Sequence, residues 1–248
     1  MTYCVGLLLD QGVVMLSDTR TNGGVDNVSC FNKLHVFNTP GERNIAVTTA
    51  GNLAISQSVL HAIREGLPDP ESGEVRSIHT VKSLFDAATL VGEAIRWVHK
   101  RHGEAMRQDD VPFDIGILLG GQIAGRRLRL FQIYAAGNFI EASPDTPFLQ
   151  IGEHKYGKPI LDRAISNATT IGDGIKLALI SMDSTLRSNL SVGLPLDLAV
   201  YQRDRMDGGM VRRIDENDAY FAMIRKRWSQ ALREAHAGIA GPDWVLND

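Results

Sequence analysis

The sequence predicts an α+β protein built as a four-layer αββα sandwich, in which two antiparallel sheets stack face to face between outer layers of helices. Strand-like runs follow one another in pairs joined by short turns, and the helical segments also come in pairs. Regular alternation of strands and helices, which a parallel sheet would need, is missing. A chain of 248 residues with 44% hydrophobic residues is also the right size for such a domain.

The first fifty residues read as strands separated by turns. Asp10–Gly12 fits a hairpin connection, Gly23–Gly24 a second turn and Asn38–Gly41 a third. Gly51 ends the strand character. The predicted strands are Thr2–Leu9, Val13–Ser17, Val28–Phe31, Lys33–Phe37 and Asn44–Thr49.

Two helices are predicted next. Leu53–Glu65 carries apolar residues on one face and stops at Gly66. After a charged loop over Leu67–Arg76, apolar residues recur at steps of three and four from Ile78 to His102, and Gly103 is expected to end this helix.

The second half repeats the pattern of strands followed by helices. A capping box over Thr170–Asp173 marks the start of a helix that should run to about Leu186. The other helices are predicted at Tyr156–Ile165 and Tyr220–Ala235. The strands are predicted at Phe113–Leu119, Arg127–Tyr134, Phe139–Ala142, Phe148–Ile151, Leu196–Gln202 and Met210–Ile214.

Composition excludes several classes of function. A net charge of −3 gives no basic face for nucleic acid, and no apolar run reaches the roughly 18 residues that span a bilayer. No basic segment precedes an apolar core at the start, so a cytoplasmic protein is expected, with Cys4 and Cys30 as reduced core thiols. No nucleotide or metalloprotease motif is present, and His99 and His102 lack a third ligand, so neither cofactor nor metal is expected.

Thr2 is the candidate nucleophile. Met1 precedes a small residue, which is the situation in which aminopeptidases usually remove methionine, and Thr2 opens an apolar strand. Removal would leave one residue with both a hydroxyl and a free α-amine, which together supply a nucleophile and its base. The alternative is an ordinary strand threonine.

Several segments resemble the N-terminal-nucleophile hydrolases of the proteasome β-subunit type, and within them the bacterial homologue Anbu (ancestral β subunit). The resemblance covers essentially the whole chain, so residues 1–248 are expected to form a single domain with 216–248 as a C-terminal helical extension. The segments that carry it are Met1–Gly6, Ser17–Asn22, the Gly24–Asp26 turn, Lys33–Phe37 and Ala50–Asn52.

The resemblance implies roles for the matching residues. Lys33 would lie beside Thr2, where its charge favours the deprotonated nucleophile and amine. Gly51 would supply the oxyanion-hole N–H, and Thr49 and Leu53 would line a small to medium apolar substrate pocket. For Lys33 the alternative is a solvated strand-edge lysine, and for Gly51 a glycine needed only for a turn.

Asp18 is expected to pair with Lys33 and so make its burial tolerable. The alternative is a turn aspartate that bonds its own backbone, and the two interpretations are compatible.

Two departures from the family pattern concern the proton relay. The serine of the proteasome Gly-Ser-Gly segment is absent from Gly152–His154, and Asp183 is followed three residues later by Leu186 instead of serine. Asp183 is expected to keep an orienting role with Ser184 or Ser188. Weak peptidase activity on generic substrates is expected for this reason.

The function predicted from the sequence is a threonine-type hydrolase of peptides or amides in a homo-oligomeric ring or split ring, with a dodecamer as one form. A small-molecule amidase on the same fold is an alternative, since a fold does not fix its substrate. A weakly active or non-catalytic assembly subunit is the other.

Overall fold

The computed structural model describes residues 1–22, 28–69 and 72–244. Its helices are α1 (Leu53–Glu65), α2 (Leu84–Gln108), α3 (Lys158–Ala164), α4 (Ile171–Ser188) and α5 (Ala219–Ala237). Its strands are β1 (Tyr3–Leu9), β2 (Gly12–Asp18), β3 (Arg20–Asn22), β4 (Val28–Cys30), β5 (Leu34–Val36), β6 (Arg43–Gly51), β7 (Leu67–Pro68), β8 (Val75–Arg76), β9 (Ile115–Ile123), β10 (Arg129–Ile133), β11 (Phe139–Glu141), β12 (Phe148–Gly152), β13 (Leu196–Gln202) and β14 (Met210–Ile214).

Two five-stranded sheets make the centre of the molecule. The first sheet has the strand order β12-β1-β2-β13-β14 and the second has the order β11-β10-β9-β6-β5. Every pairing in both sheets is antiparallel. Helices α3, α4 and α5 cover the outer face of the first sheet, and α1 and α2 cover the second. The predicted αββα sandwich is confirmed.

Strand β1 shows why the two sheets stack. Its residues alternate between two cores, so that Tyr3, Val5 and Leu7 face the α4 side while Cys4 faces the other sheet. Small residues bring the sheets close together at this inner face. A Cβ atom on Gly6 would lie 2.8 Å from the Cδ1 atom of Leu130 in the opposite sheet. Alternate residues of β1 therefore pack into different cores, as expected for a strand in a sheet that is buried on both faces.

The long helix α2 begins later and ends later than the sequence predicts. It starts at Leu84 because Ser83 caps it, accepting a hydrogen bond from the backbone N–H of Asp86 at 3.1 Å. Ile78 is buried in the core but lies in a turn, so its fit to the helical period was misleading. Gly103 does not end the helix, which continues to Gln108. A glycine inside a helix is about 1 kcal/mol less favourable than an alanine, and this cost does not end α2 at Gly103.

Smaller differences concern short strands. Two short strands, β7 and β8, occupy part of the predicted Leu67–Arg76 loop, and β3 pairs with β4 in a small ribbon. Cys30 in that ribbon is exposed and is not a core thiol. The predicted turns at Gly23–Gly24 and Gly24–Asp26 lie outside the described residues.

The last helix, α5, packs on the first sheet's outer layer. Phe221 and Ile224 are buried in the same core as α4, and Trp228 packs against that core. The single-domain boundary and the C-terminal extension stay predictions. No helix among the described residues is both long enough and apolar enough to cross a membrane.

Candidate active site

A cavity of about 520 Å³ opens where strands of both sheets end. It brings together the start of β1, the end of β6, the first turns of α1 and the residues just after β12. Five residues singled out in the sequence line it, namely Thr2, Lys33, Thr49, Gly51 and Leu53. The remaining lining residues are Met1, Thr21, Ala50, Ser56, Asp114, Gly152 and Glu153.

The backbone around Thr2 is fixed on both sides. Its carbonyl accepts a hydrogen bond from the N–H of Glu153 at 2.7 Å, and the next N–H, that of Tyr3, donates to Asp18 at 3.1 Å. Gly152 has a φ of +79° and a Cβ atom there would lie 1.9 Å from the Thr2 carbonyl oxygen. Met1 is joined to Thr2 in the structure, so the Thr2 nitrogen is an amide, and a free amine requires removal of Met1.

Lys33 and Asp18 form a buried ion pair, and Lys33 lines the same cavity as Thr2. The Lys33 Nζ atom lies 2.9 Å from Asp18 Oδ1, and the two side chains are 6% and 0% exposed. The ammonium also donates to the Arg20 carbonyl at 2.5 Å, and Asp18 Oδ2 accepts from the Gly193 N–H at 3.3 Å. Lys33 is thus paired and buried, and Asp18 accepts from β1, from Lys33 and from the loop after α4.

Burial sets the electrostatics of this pair. Burial raises the pKa of the Asp18 carboxyl, while the Lys33 ammonium and the N–H groups of Tyr3 and Gly193 act in the opposite direction. Burial also raises the pKa of the Cys4 thiol to about 12, with a further contribution from Asp18. Cys4 is therefore a protonated core thiol and does not compete with Thr2 as nucleophile.

Gly51, Thr49 and Leu53 line the cavity where β6 ends and α1 begins. Gly51 is exposed at the end of β6 with a φ of +100°, and a Cβ atom there would lie 2.4 Å from the Asp114 carbonyl oxygen. The local backbone alone therefore requires glycine, and the oxyanion role stays a prediction. Asn52 caps α1 through the N–H groups of Ala54 and Ile55, which places Leu53 at the cavity.

Asp183 lies away from this cavity. It is buried in α4, where its carboxylate accepts hydrogen bonds from Arg187 at 3.0 Å and from Arg225 of α5 at 2.8 Å. The expected partner Ser184 instead donates to the Ile180 carbonyl at 3.1 Å. The structure therefore places Asp183 in the contact between two helices, where it is the buried partner of Arg225.

Sequence reasoning assigned no role to two polar residues at the Met1 end of the cavity. The Asn189 Nδ2 atom donates to Glu153 Oε2 at 2.8 Å and lies 3.8 Å from the Met1 sulfur. Glu153 was visible as the residue that replaces the expected serine, but nothing marked Asn189. The two are 36 positions apart, and the fold alone brings them together.

The described residues include no group of three or more His, Cys, Asp or Glu side chains placed to hold a metal ion.

Comparison with known proteins relates this geometry to a family. No protein-family profile matches the chain. Anbu (ancestral beta-subunit) from Yersinia bercovieri is 48% identical, with a TM-score of 0.88 over 98% of this chain and 100% of that chain. The Anbu complex from Pseudomonas aeruginosa is 46% identical, with a TM-score of 0.90 over 99% and 100% of the two chains. The chain belongs to the Anbu family.

Two further relatives agree with this membership. An Anbu (Gly-1) mutant from Hyphomicrobium sp. strain MC1 is 47% identical, with a TM-score of 0.89 over 98% of this chain and 100% of that chain. A proteasome subunit beta from Methanocaldococcus jannaschii is 24% identical over 204 residues, which is 82% of each chain. This Anbu chain is therefore a proteasome-like subunit with the fold of an N-terminal-nucleophile hydrolase.

The buried ion pair gives a first prediction. Asp18→Ala should destabilise the protein by about 3–5 kcal/mol, because it leaves the Lys33 ammonium buried without its carboxylate. The double variant Asp18→Ala/Lys33→Met should lose less, since no charge stays buried. Urea unfolding of Asp18→Ala, Lys33→Met and the double variant measures the coupling energy between the two side chains.

The single variant Lys33→Met adds a pH dependence to this test. Without the ammonium, burial holds the Asp18 pKa above its unfolded value, so this variant should be most stable below the usual carboxyl range and lose stability as the pH rises through the folded pKa. Additive losses in the double variant, together with an unchanged pH dependence, would contradict the buried pair.

A second prediction concerns Asp183. Asp183→Asn should lower the free energy of unfolding by about 1–3 kcal/mol, because two arginines lose a charged acceptor. The reactivity of Thr2 should stay unchanged. The matched control is Asp162→Asn, which removes an exposed i,i+4 pair with Lys158 and should change stability by less than about 0.5 kcal/mol. A stable Asp183→Asn protein with unreactive Thr2 would instead give Asp183 a role in catalysis.

Proposed function

We propose that this Anbu chain is a threonine-type hydrolase of amide bonds, with Thr2 as its nucleophile after removal of Met1. The observation that carries the proposal is that Thr2, Lys33 and Gly51 all line one cavity of about 520 Å³. The ion pair with Asp18 holds the Lys33 ammonium in place at this cavity. Such a fixed cation favours the deprotonated forms of a nearby hydroxyl and amine.

The reaction would run through an acyl-enzyme. The Thr2 hydroxyl oxygen attacks the substrate carbonyl while its proton passes to the free α-amine, and the Gly51 N–H stabilises the oxyanion that forms. Collapse of the tetrahedral species breaks the C–N bond, and the proton goes to the leaving amine. Water then hydrolyses the ester, which releases the carboxylic acid and restores the Thr2 hydroxyl.

The cavity lining supports a small or medium side chain next to the bond that is cleaved. Thr49 contributes a short polar side chain to the lining, and Leu53 contributes an apolar one. The volume of the cavity lies within the range of ligand pockets. We propose peptides or amides as the substrate class. Neither a cofactor nor a metal takes part in the proposed reaction.

We also propose that the chain works as a cytoplasmic homo-oligomer, in a ring or split ring such as a dodecamer. The related Anbu complex from Pseudomonas aeruginosa is described as a helical assembly, which supports association of many copies. Enclosing the cavities would restrict access by size and so give selectivity to a permissive threonine site. A small-molecule amidase, or a non-catalytic subunit, is the outcome if the experiments below fail.

The third prediction tests the nucleophile. Thr2→Ala should abolish acylation of the chain by a small activated ester and leave the fold intact, whereas Thr2→Ser should keep it. Intact mass locates the acyl group and confirms removal of Met1. The control Ser58→Ala deletes an exposed hydroxyl of α1. Acylation that survives in Thr2→Ala would exclude Thr2 as the nucleophile.

Lys33→Arg belongs to the same experiment. A guanidinium is larger than an ammonium and cannot occupy the same buried position between Asp18 and the Arg20 carbonyl. We expect Lys33→Arg to lose about 100-fold or more in acylation rate. A fully active Lys33→Arg protein would show that a diffuse positive charge is sufficient.

The fourth prediction concerns assembly. Light scattering should give a particle many times the 27.2 kDa of one chain, and this particle should cleave short peptides or amides while folded proteins stay intact. Exclusion by size follows if the cavities face an enclosed space. A stable monomer or dimer with full activity would favour the small-molecule amidase.

A further inference from the structure

The corner of the cavity next to Met1 holds a carboxylate that the proposed reaction does not yet use. Glu153 directly follows β12, and its N–H donates to the carbonyl of Thr2 at 2.7 Å. The backbone of Glu153 is therefore attached to the nucleophilic residue itself. Its side chain lines the cavity together with Met1 and Thr2 and is 17% exposed.

Asn189 holds this carboxylate in place. Its Nδ2 atom donates to Glu153 Oε2 at 2.8 Å, and its Oδ1 atom accepts from the N–H of Ser191 at 2.9 Å. Asn189 also closes the C-terminal end of α4, where its N–H donates to the Thr185 carbonyl at 2.9 Å. Since both ends of the amide are engaged, its NH₂ group is committed to Glu153.

One oxygen of Glu153 stays available to another donor. The contacts of its side chain, with Asn189 and with Lys155 at 3.6 Å, are both made by Oε2. Within the described residues, Oε1 has no hydrogen-bond partner. A carboxylate that is held by one oxygen and open at the other is suited to accept a hydrogen bond from a group that appears later.

Removal of Met1 would create such a group. The Met1 sulfur lies 3.8 Å from Asn189 Nδ2, so Met1 occupies the corner beside Asn189 and Glu153. Cleavage empties this corner and converts the Thr2 nitrogen into an α-amine. The new amine has up to three N–H donors and lies in the residue to which the Glu153 backbone is bonded.

We propose that Glu153, held by Asn189, is a positioning residue that accepts a hydrogen bond from the α-amine of Thr2 once Met1 has been removed. The inference rests on the proposed use of Thr2 as the nucleophile. In this role Glu153 fixes the orientation of the amine, so that the amine lone pair faces the Thr2 hydroxyl.

The role has an electrostatic consequence. A carboxylate favours the protonated form of a neighbouring amine, so Glu153 should move the loss of reactivity in acid to higher pH. The other charged or ionisable groups of the cavity and of the residues next to Glu153 and Asn189 are Lys33 with its partner Asp18, Asp114, His154, Lys155 and Arg20. They are the same in a variant changed at Glu153 alone, so the difference between variant and parent isolates the contribution of Glu153.

The experiment compares processed wild-type protein with Glu153→Gln, Glu153→Asp and Asn189→Ala. The rate of Thr2 acylation by a small activated ester is followed by intact mass between about pH 5 and pH 9. In Glu153→Gln we expect the midpoint of the acid limb to fall by about one pH unit, with a plateau rate reduced about tenfold because the amine is less well oriented. In Glu153→Asp the midpoint should lie close to the wild-type value, because the carboxylate is kept. In Asn189→Ala the midpoint should fall, as it does in Glu153→Gln.

Competitive labelling of the α-amine with acetic anhydride gives a second readout that does not depend on catalysis. Mass spectrometry of the N-terminal peptide reports the midpoint of the amine, which should also fall by about one unit in Glu153→Gln. The control is Glu216→Gln, an exposed carboxylate outside the cavity, which should leave both midpoints in place.

The outcomes separate the two proposals. Unchanged midpoints in Glu153→Gln by both methods would overturn the role of Glu153, even if Thr2 is the nucleophile. Wild-type protein that is not acylated at Thr2 would overturn the proposed function. In that case the labelling midpoint would still show whether Glu153 faces the amine.

Discussion

The ion pair between Lys33 and Asp18 connects the two halves of the sandwich at the cavity. Asp18 ends β2 in the first sheet, whereas Lys33 immediately precedes β5 in the second. Two buried charges are tolerated only as a well-placed pair with further hydrogen bonds, and the Arg20 carbonyl and the N–H groups of Tyr3 and Gly193 supply them. The cost of separating the charges therefore fixes how the strand ends of both sheets meet, and Thr2 lies at that meeting point.

Backbone geometry provides the second constraint on the cavity. Gly51 and Gly152 both have positive φ values, and at each position a Cβ atom would collide with a carbonyl oxygen of the neighbouring segment. These two glycines let the ends of β6 and β12 approach Asp114 and Thr2 closely. Main-chain contacts at these two positions thus help to keep the shape of the cavity that Thr2, Lys33 and Glu153 line.

The site combines a part shared with proteasome β subunits and a part that differs. Thr2 and Lys33 line one cavity, and Asp18 binds both Lys33 and the N–H of Tyr3, which follows Thr2. Where the proteasome pattern has a serine, this Anbu chain has Glu153, paired with Asn189. A carboxylate in place of a neutral hydroxyl changes the charge at this end of the cavity.

The sequence by itself determined the elements and the sandwich. Helix α1 and strands β13 and β14 begin and end where their patterns predict, because period and capping are local properties of the chain. The errors arose where a buried turn imitates a helical period, as at Ile78, or where a glycine is tolerated inside a helix, as at Gly103.

The tertiary structure decided which candidates share a site. It separated Asp183 from the cavity by pairing it with Arg187 and Arg225, and it placed Asn189 beside Glu153. Contacts between residues far apart in the chain depend on how the sheets and helices pack. A local sequence pattern does not determine that packing.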